Sequence, residues 1–131
     1  MKKRKKRKIT IRFSIETDQA DIEMVAKTIN LQPFSTRSSF PRGSIAKPWW
    51  ETEILSDSLC VEDPLSEMRD RLTPKIGVIQ EVINSYKASA CLLIKVRSNY
   101  ADRPIFSIPS SYFHFFDALS AELIIDVERT D

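Results

Sequence analysis

Residues 9–16, ITIRFSIE, alternate without interruption. Ile9, Ile11, Phe13 and Ile15 fall on one side, and Thr10, Arg12, Ser14 and Glu16 on the other. Only an extended strand sends successive side chains to opposite faces. The chain therefore opens with a half-buried strand, and the rest of it must supply an apolar layer for one face of that strand. The other elements follow from spacing. Asp18 is placed to cap a helix over 19–31, whose stripe is Ile22, Val25, Ala26 and Ile29 and whose stop is Pro33. Residues 33–48 read as a polar loop. WWETEILS at 49–56 reads as a second strand, with Trp50, Thr52 and Ile54 on one face and Trp49, Glu51, Glu53 and Leu55 on the other. Asp63-Pro64 starts a helical region over 64–86, kinked at Pro74 because proline lacks the N–H of a helical bond. The apolar run SACLLIKVR at 89–97 predicts a central strand covered on both faces, with Cys91 as a core thiol. IFSI at 105–108 reads as either a short strand or a sheet edge. Pro109 opens a helix with Tyr112, Phe113, Phe116 and Leu119, and ELIIDVE at 122–128 is the last main strand.

Strands separated by helices, with irregular loops, predict an α+β fold. The expected form is a single sheet of about four to five mainly antiparallel strands with helices on one face, a ferredoxin-like sandwich. At 131 residues the chain fits one domain with a core of its own. Residues 1–8 are expected to be a disordered basic tail and 9–131 the single domain.

Charge divides along the same boundary. Lys2, Lys3, Arg4, Lys5, Lys6, Arg7 and Lys8 form an unbroken cationic run. Taking those seven from the 20 Lys and Arg leaves 13 against 18 Asp and Glu, so the body is acidic although the whole chain carries +2. A folded nucleic-acid binder usually shows a basic face on the domain itself. This composition argues against one and leaves the tail as the only such element. The chain has only two glycines, Gly43 and Gly77, so it contains no phosphate-cradling glycine loop. Cys60 and Cys91 form no disulfide framework. No stretch approaches a membrane span, and Arg12, Glu16 and Asp18 interrupt any signal-peptide core, so a cytoplasmic location is expected.

The sequence resembles a bacterial domain-of-unknown-function family, numbered four-two-seven-nine. The likeness lies in ITIRFSIE, DIEMVAKTINLQP, WWETEI, MRDRLTPKIGVIQEV and SIPSSYFHFFDALSAELIIDVE, and it covers about residues 9–128. The family usually carries a glycine-rich turn before its final strand; here Leu119-Ser120-Ala121 stands in its place. The resemblance implies no activity, cofactor or catalytic residue. Small domains of this kind often sit among toxin–immunity genes.

No catalytic constellation emerges from the residues. The single histidine, His114, has Asp117 one turn on but no nucleophile motif beside it. One histidine and two distant cysteines lack zinc-ligand spacing, and neither a metal nor a cofactor is expected. Carboxylates are more suggestive. Glu51 and Glu53 share a strand face, and Asp57, Glu62, Asp63, Glu67 and Asp70 follow closely. Such a group is a solvated face, a docking surface for a basic partner or, more weakly, an acid–base site. Adjacent tryptophans on a strand must point to opposite faces, so either Trp49 or Trp50 is available as a binding anchor. The expected function is a non-catalytic protein-binding module, an immunity-type inhibitor of a bacterial toxin. Its partner-binding residues would be Glu51, Glu53, Asp57, Glu62, Asp63 and one of Trp49 and Trp50. The alternatives are nucleic-acid association through Lys2 to Lys8 and an enzyme using the carboxylate group.

Overall fold

A computed structural model describes residues 8–99, 101 and 103–129. The expected basic tail therefore lies, apart from Lys8, outside the described residues. The opening strand β1 (Ile9–Glu16) occupies the middle of a five-stranded sheet. Its apolar row Ile9, Ile11, Phe13 and Ile15 is fully buried. Burial of each such side chain contributes roughly 2 kcal/mol. A short helix α1 (Ile22–Ile29) follows. Asp21, three residues beyond the expected cap Asp18, accepts the Glu23 N–H, and Asn30 closes the helix in the left-handed conformation. Thr17 displaces the start: its buried hydroxyl donates to the Tyr86 carbonyl and accepts from the Gln19 N–H, which holds 17–19 in a turn.

The loop expected at 33–48 contains a small strand, β2 (Ser35–Arg37), paired with the start of β3 (Trp49–Ser56). Three residues without an apolar alternation give no periodic signal, which is why the sequence hides it. The helical region begins two residues early as α2 (Glu62–Leu72) and breaks at Pro74 into a 3-10 turn, Thr73–Lys75, before α3 (Ile76–Tyr86). Asp63 lies inside the first turn, where it accepts from the Ser58 hydroxyl instead of capping the helix. Next come β4 (Ser89–Ser98), α4 (Ser111–Ala118) and β5 (Ala121–Arg129). Ile105 makes only an isolated bridge to Cys60.

The strand order is β2-β3-β1-β4-β5. The β2–β3, β3–β1 and β1–β4 pairings are antiparallel; β4–β5 is parallel, with α4 as the crossover such a pair requires. The helices bury Val25, Leu65, Met68, Leu72, Ile79, Tyr112 and Phe116 in the same core as the odd-numbered row of β1. They occupy one face of the sheet. Across the helix layer, the Arg69 guanidinium stacks on the Tyr112 ring at 4.4 Å, and Gln80 donates to the Ala118 carbonyl. The core face also holds Trp50, edge-on to Phe13 and stacked with Phe34. A buried Thr52 donates to the Pro33 carbonyl at 2.7 Å and accepts from Arg71 at 2.8 Å.

β4 is interior to the sheet but not covered on both faces. Ala90, Leu92, Ile94 and Val96 are buried, whereas Cys91, Leu93, Lys95 and Arg97 lie half-buried on the opposite face. Lys95 and Arg97 reveal the cause: charges at alternate positions keep one side wet. Cys91 is therefore no core thiol. Two outcomes are expected in urea denaturation. Thr52→Val, which leaves the Pro33 carbonyl and an Arg71 N–H without their partner, lowers stability by about 1–3 kcal/mol. Ser120, at the α4–β5 turn, has φ 51°, so Ser120→Gly raises stability by about 1 kcal/mol through relief of left-handed backbone strain.

Candidate docking face

The sheet face turned away from the helices is built in cross-strand rows. Strand registers place Ser35, Glu51, Ser14, Cys91 and Glu122 in one row. The adjacent row is Glu53, Arg12, Leu93 and Ile124, and the next is Leu55, Thr10, Lys95 and Asp126. Trp49 and Glu16 lie opposite one another at the other end. Every residue here comes from the polar half of an alternating strand, so the pattern that buries Ile11 and Phe13 also presents this surface.

Arg12 lies at its centre. Its guanidinium bonds Glu53 Oε2 at 2.7 and 2.9 Å and lies 3.4 Å from Glu51. These side chains are partly exposed, so the pairing contributes about 1 kcal/mol at most and chiefly fixes geometry. Lys95 and Arg97 both approach Glu128, at 3.3 and 3.4 Å. Between these ionic groups sit apolar side chains. Leu55 is 52 % exposed, Ile124 is 42 % exposed, and Trp49 and Leu93 are half-buried. Beside Glu51 and Glu53 a cavity of about 190 Å³ opens, walled by Pro33, Phe34 and Ser35. It lies where β2 ends and leaves β3 uncovered.

The candidate residues separate into three places. Trp49, Glu51 and Glu53 are on this face. Trp50 is fully buried on the other side of the sheet and is withdrawn from any partner. Asp57, Glu62 and Asp63 lie beyond the end of β3, around the start of α2, with Asp63 engaged by Ser58. The five carboxylates therefore form two groups. Among the described residues no three His, Cys, Asp or Glu side chains converge as metal ligands. His114 is exposed on α4, far along the chain from either group. Lys2 to Arg7 lie outside the described residues, while Lys8 continues the ladder of β1 through backbone bonds with Ser56 and Arg97. Sequence reasoning missed Leu55, Leu93 and Ile124. Their signal was alternation: each is an apolar residue on the polar side of its strand.

Cys91 sits on the same face. Burial pushes its thiol above the ordinary value, and the Glu122 and Glu16 carboxylates push it further. A thiol so placed stays protonated at neutral pH and is a poor nucleophile. Because ionisation is disfavoured only in the folded state, the stability this provides is present below the ordinary thiol pKa and lost as pH rises through the raised one. Iodoacetamide should label Cys91 more slowly in the folded chain than in urea, and Glu122→Gln should shift the pH midpoint of labelling downward; peptide mass spectrometry checks both.

No helix among the described residues is long and apolar enough to cross a membrane. No curated protein and no solved structure matches the chain. Residues 7–129 match the family described as a domain of unknown function, DUF4279. That span takes in every strand and helix, so the chain belongs to the DUF4279 family.

Proposed function

We propose that the protein is a non-catalytic protein-binding module that docks through its uncovered sheet face, in the concrete form of an immunity-type inhibitor occupying the basic surface of a cognate toxin. The observation that carries this reading is the face itself. Apolar side chains, Trp49, Leu55, Leu93 and Ile124, lie among charged groups, of which Arg12 pairs with Glu51 and Glu53, and Lys95 and Arg97 with Glu128. An apolar centre within a polar surround is the usual anatomy of a protein interface. Across the five strands this face carries six carboxylates (Glu16, Glu51, Glu53, Glu122, Asp126 and Glu128) against four cations, Arg12, Arg37, Lys95 and Arg97. A nuclease is basic where it grips phosphate, so an acidic surplus steers the two together and then blocks substrate. Nucleic-acid association gains little support from the strands, because Arg12, Lys95 and Arg97 are each paired with a carboxylate and Arg37 is engaged by the Phe40 ring and the Ser39 carbonyl.

The test is co-expression with the basic proteins encoded beside the gene, followed by titration calorimetry of any complex. Trp49→Ala and Leu55→Glu should each weaken binding at least about tenfold and abolish protection of growth. A complex indifferent to both substitutions, or no complex with any neighbour-encoded protein, removes the proposal.

A further inference from the structure

The two edges of the sheet are finished differently. β2 is three residues long, and in the half of β3 that it does not reach, Arg71 donates to the Glu53 carbonyl at 3.1 Å. The opposite edge, β5, runs for nine residues, and no described strand lies beyond it. Natural edges are usually blunted by proline, lysine, a bulge, brevity or a covering element. AELIIDVER contains neither proline nor lysine, its charges are Glu122, Asp126, Glu128 and Arg129, and it pairs with β4 without a bulge from Ala121 to Arg129. Its apolar side chains stand open on both faces: Ile124 on one, and Ile125 and Val127 on the other at 47 % and 61 % exposure. Phe113 of α4 is exposed as well.

We infer that β5 is a dimerisation edge, pairing antiparallel with β5 of a second copy about a two-fold axis at Ile125. Such an axis, perpendicular to the sheet, keeps the helices of both copies on one side and sets residues of the same face opposite each other. On the helix side Ile125 then meets Ile125 of the partner subunit, and Leu123 meets the partner subunit's Val127. On the other side Ile124 faces the partner's Asp126 and Glu122 faces the partner's Glu128. Lys95 and Arg97, already beside Glu128, temper that last juxtaposition. The area suffices. Nine residues span about 30 Å, and sheet plus helix layer stand about 20 Å tall, giving roughly 600 Å² per copy and about 1,200 Å² in all, the lower bound for a specific interface. The docking residues Trp49 and Leu55 lie on β3, with β1 and β4 between them and this edge. Ile124 and the β5 carboxylates belong to both surfaces, so Trp49 and Leu55 test the docking face alone, and Ile125 and Val127, on the helix side, test this edge alone.

Sedimentation equilibrium of the full chain across the micromolar range should show a monomer–dimer equilibrium. Ile125→Lys and Val127→Lys should each raise the dimer Kd at least about tenfold with an unchanged circular-dichroism spectrum. Glu122→Lys, at an exposed position that folding does not depend on, should lower the Kd severalfold by converting a repulsion into an attraction. A chain that sediments as a monomer throughout, a dimer whose Kd none of these variants moves, or a dimer that Trp49→Ala disrupts would each overturn the inference.

Discussion

The structure depends on the burial of one row of side chains, Ile9, Ile11, Phe13 and Ile15. β1 is the strand to which both β3 and β4 pair, so its two faces set the two faces of the sheet. A slip of one residue in register would bring Arg12 and Glu16 against the helices and turn phenylalanine and isoleucine to water. That cost fixes the pairings at once: Phe13 lies between Thr52 and Leu92, and Arg12 between Glu53 and Leu93. The ion pair of Arg12 with Glu51 and Glu53 follows from this register. It is weak in energy, but it exists only if the apolar row is in place.

The two faces then have different tasks. The helix face is dry: Thr52 lies between Pro33 and Arg71 and Thr17 between Tyr86 and Gln19, whereas the buried Trp50 indole N–H meets no hydrogen-bond acceptor among the described residues. The other face is a mosaic of partly paired charge and exposed carbon. Nothing in the fold requires Leu55 or Ile124 to be apolar, since neither contributes to the buried core. Their presence on a face that the monomer leaves open is the feature on which the proposed docking rests.

The alternating strands were legible because period two survives wherever one side is wet. β1 and β3 fall at their expected bounds, and Trp49 and Trp50 part to opposite faces as adjacent strand residues must. The break at Pro74 was equally plain, since proline's missing N–H has only one outcome inside a helix. β2 was not legible, because its pairing with β3 is a tertiary event that Ser35–Arg37 do not announce. The parallel pairing of β5 with β4 likewise depends on where α4 places the chain, not on ELIIDVE itself. Grouping the carboxylates by sequence proximity failed for a geometric reason: β3 ends at Ser56, and Asp57, Glu62 and Asp63 lie around the start of a helix instead of along a strand. Ser120 is the converse case. Where the resemblance implies a glycine-rich turn, this chain has a serine held at positive φ, so the departure noted in sequence acquires a physical cost.

The adjacent tryptophans have a spectroscopic consequence. Trp50 is enclosed by Phe13 and Phe34, while its chain neighbour reaches the opposite surface of a sheet one residue thick. With only two indoles in the chain, replacing either by phenylalanine leaves a single fluorophore. One version emits from a water-free interior and responds when the core opens. The other emits from the rim of the exposed face and responds when something covers it. Unfolding and association, usually entangled in one emission band, are thus separated by a single peptide bond.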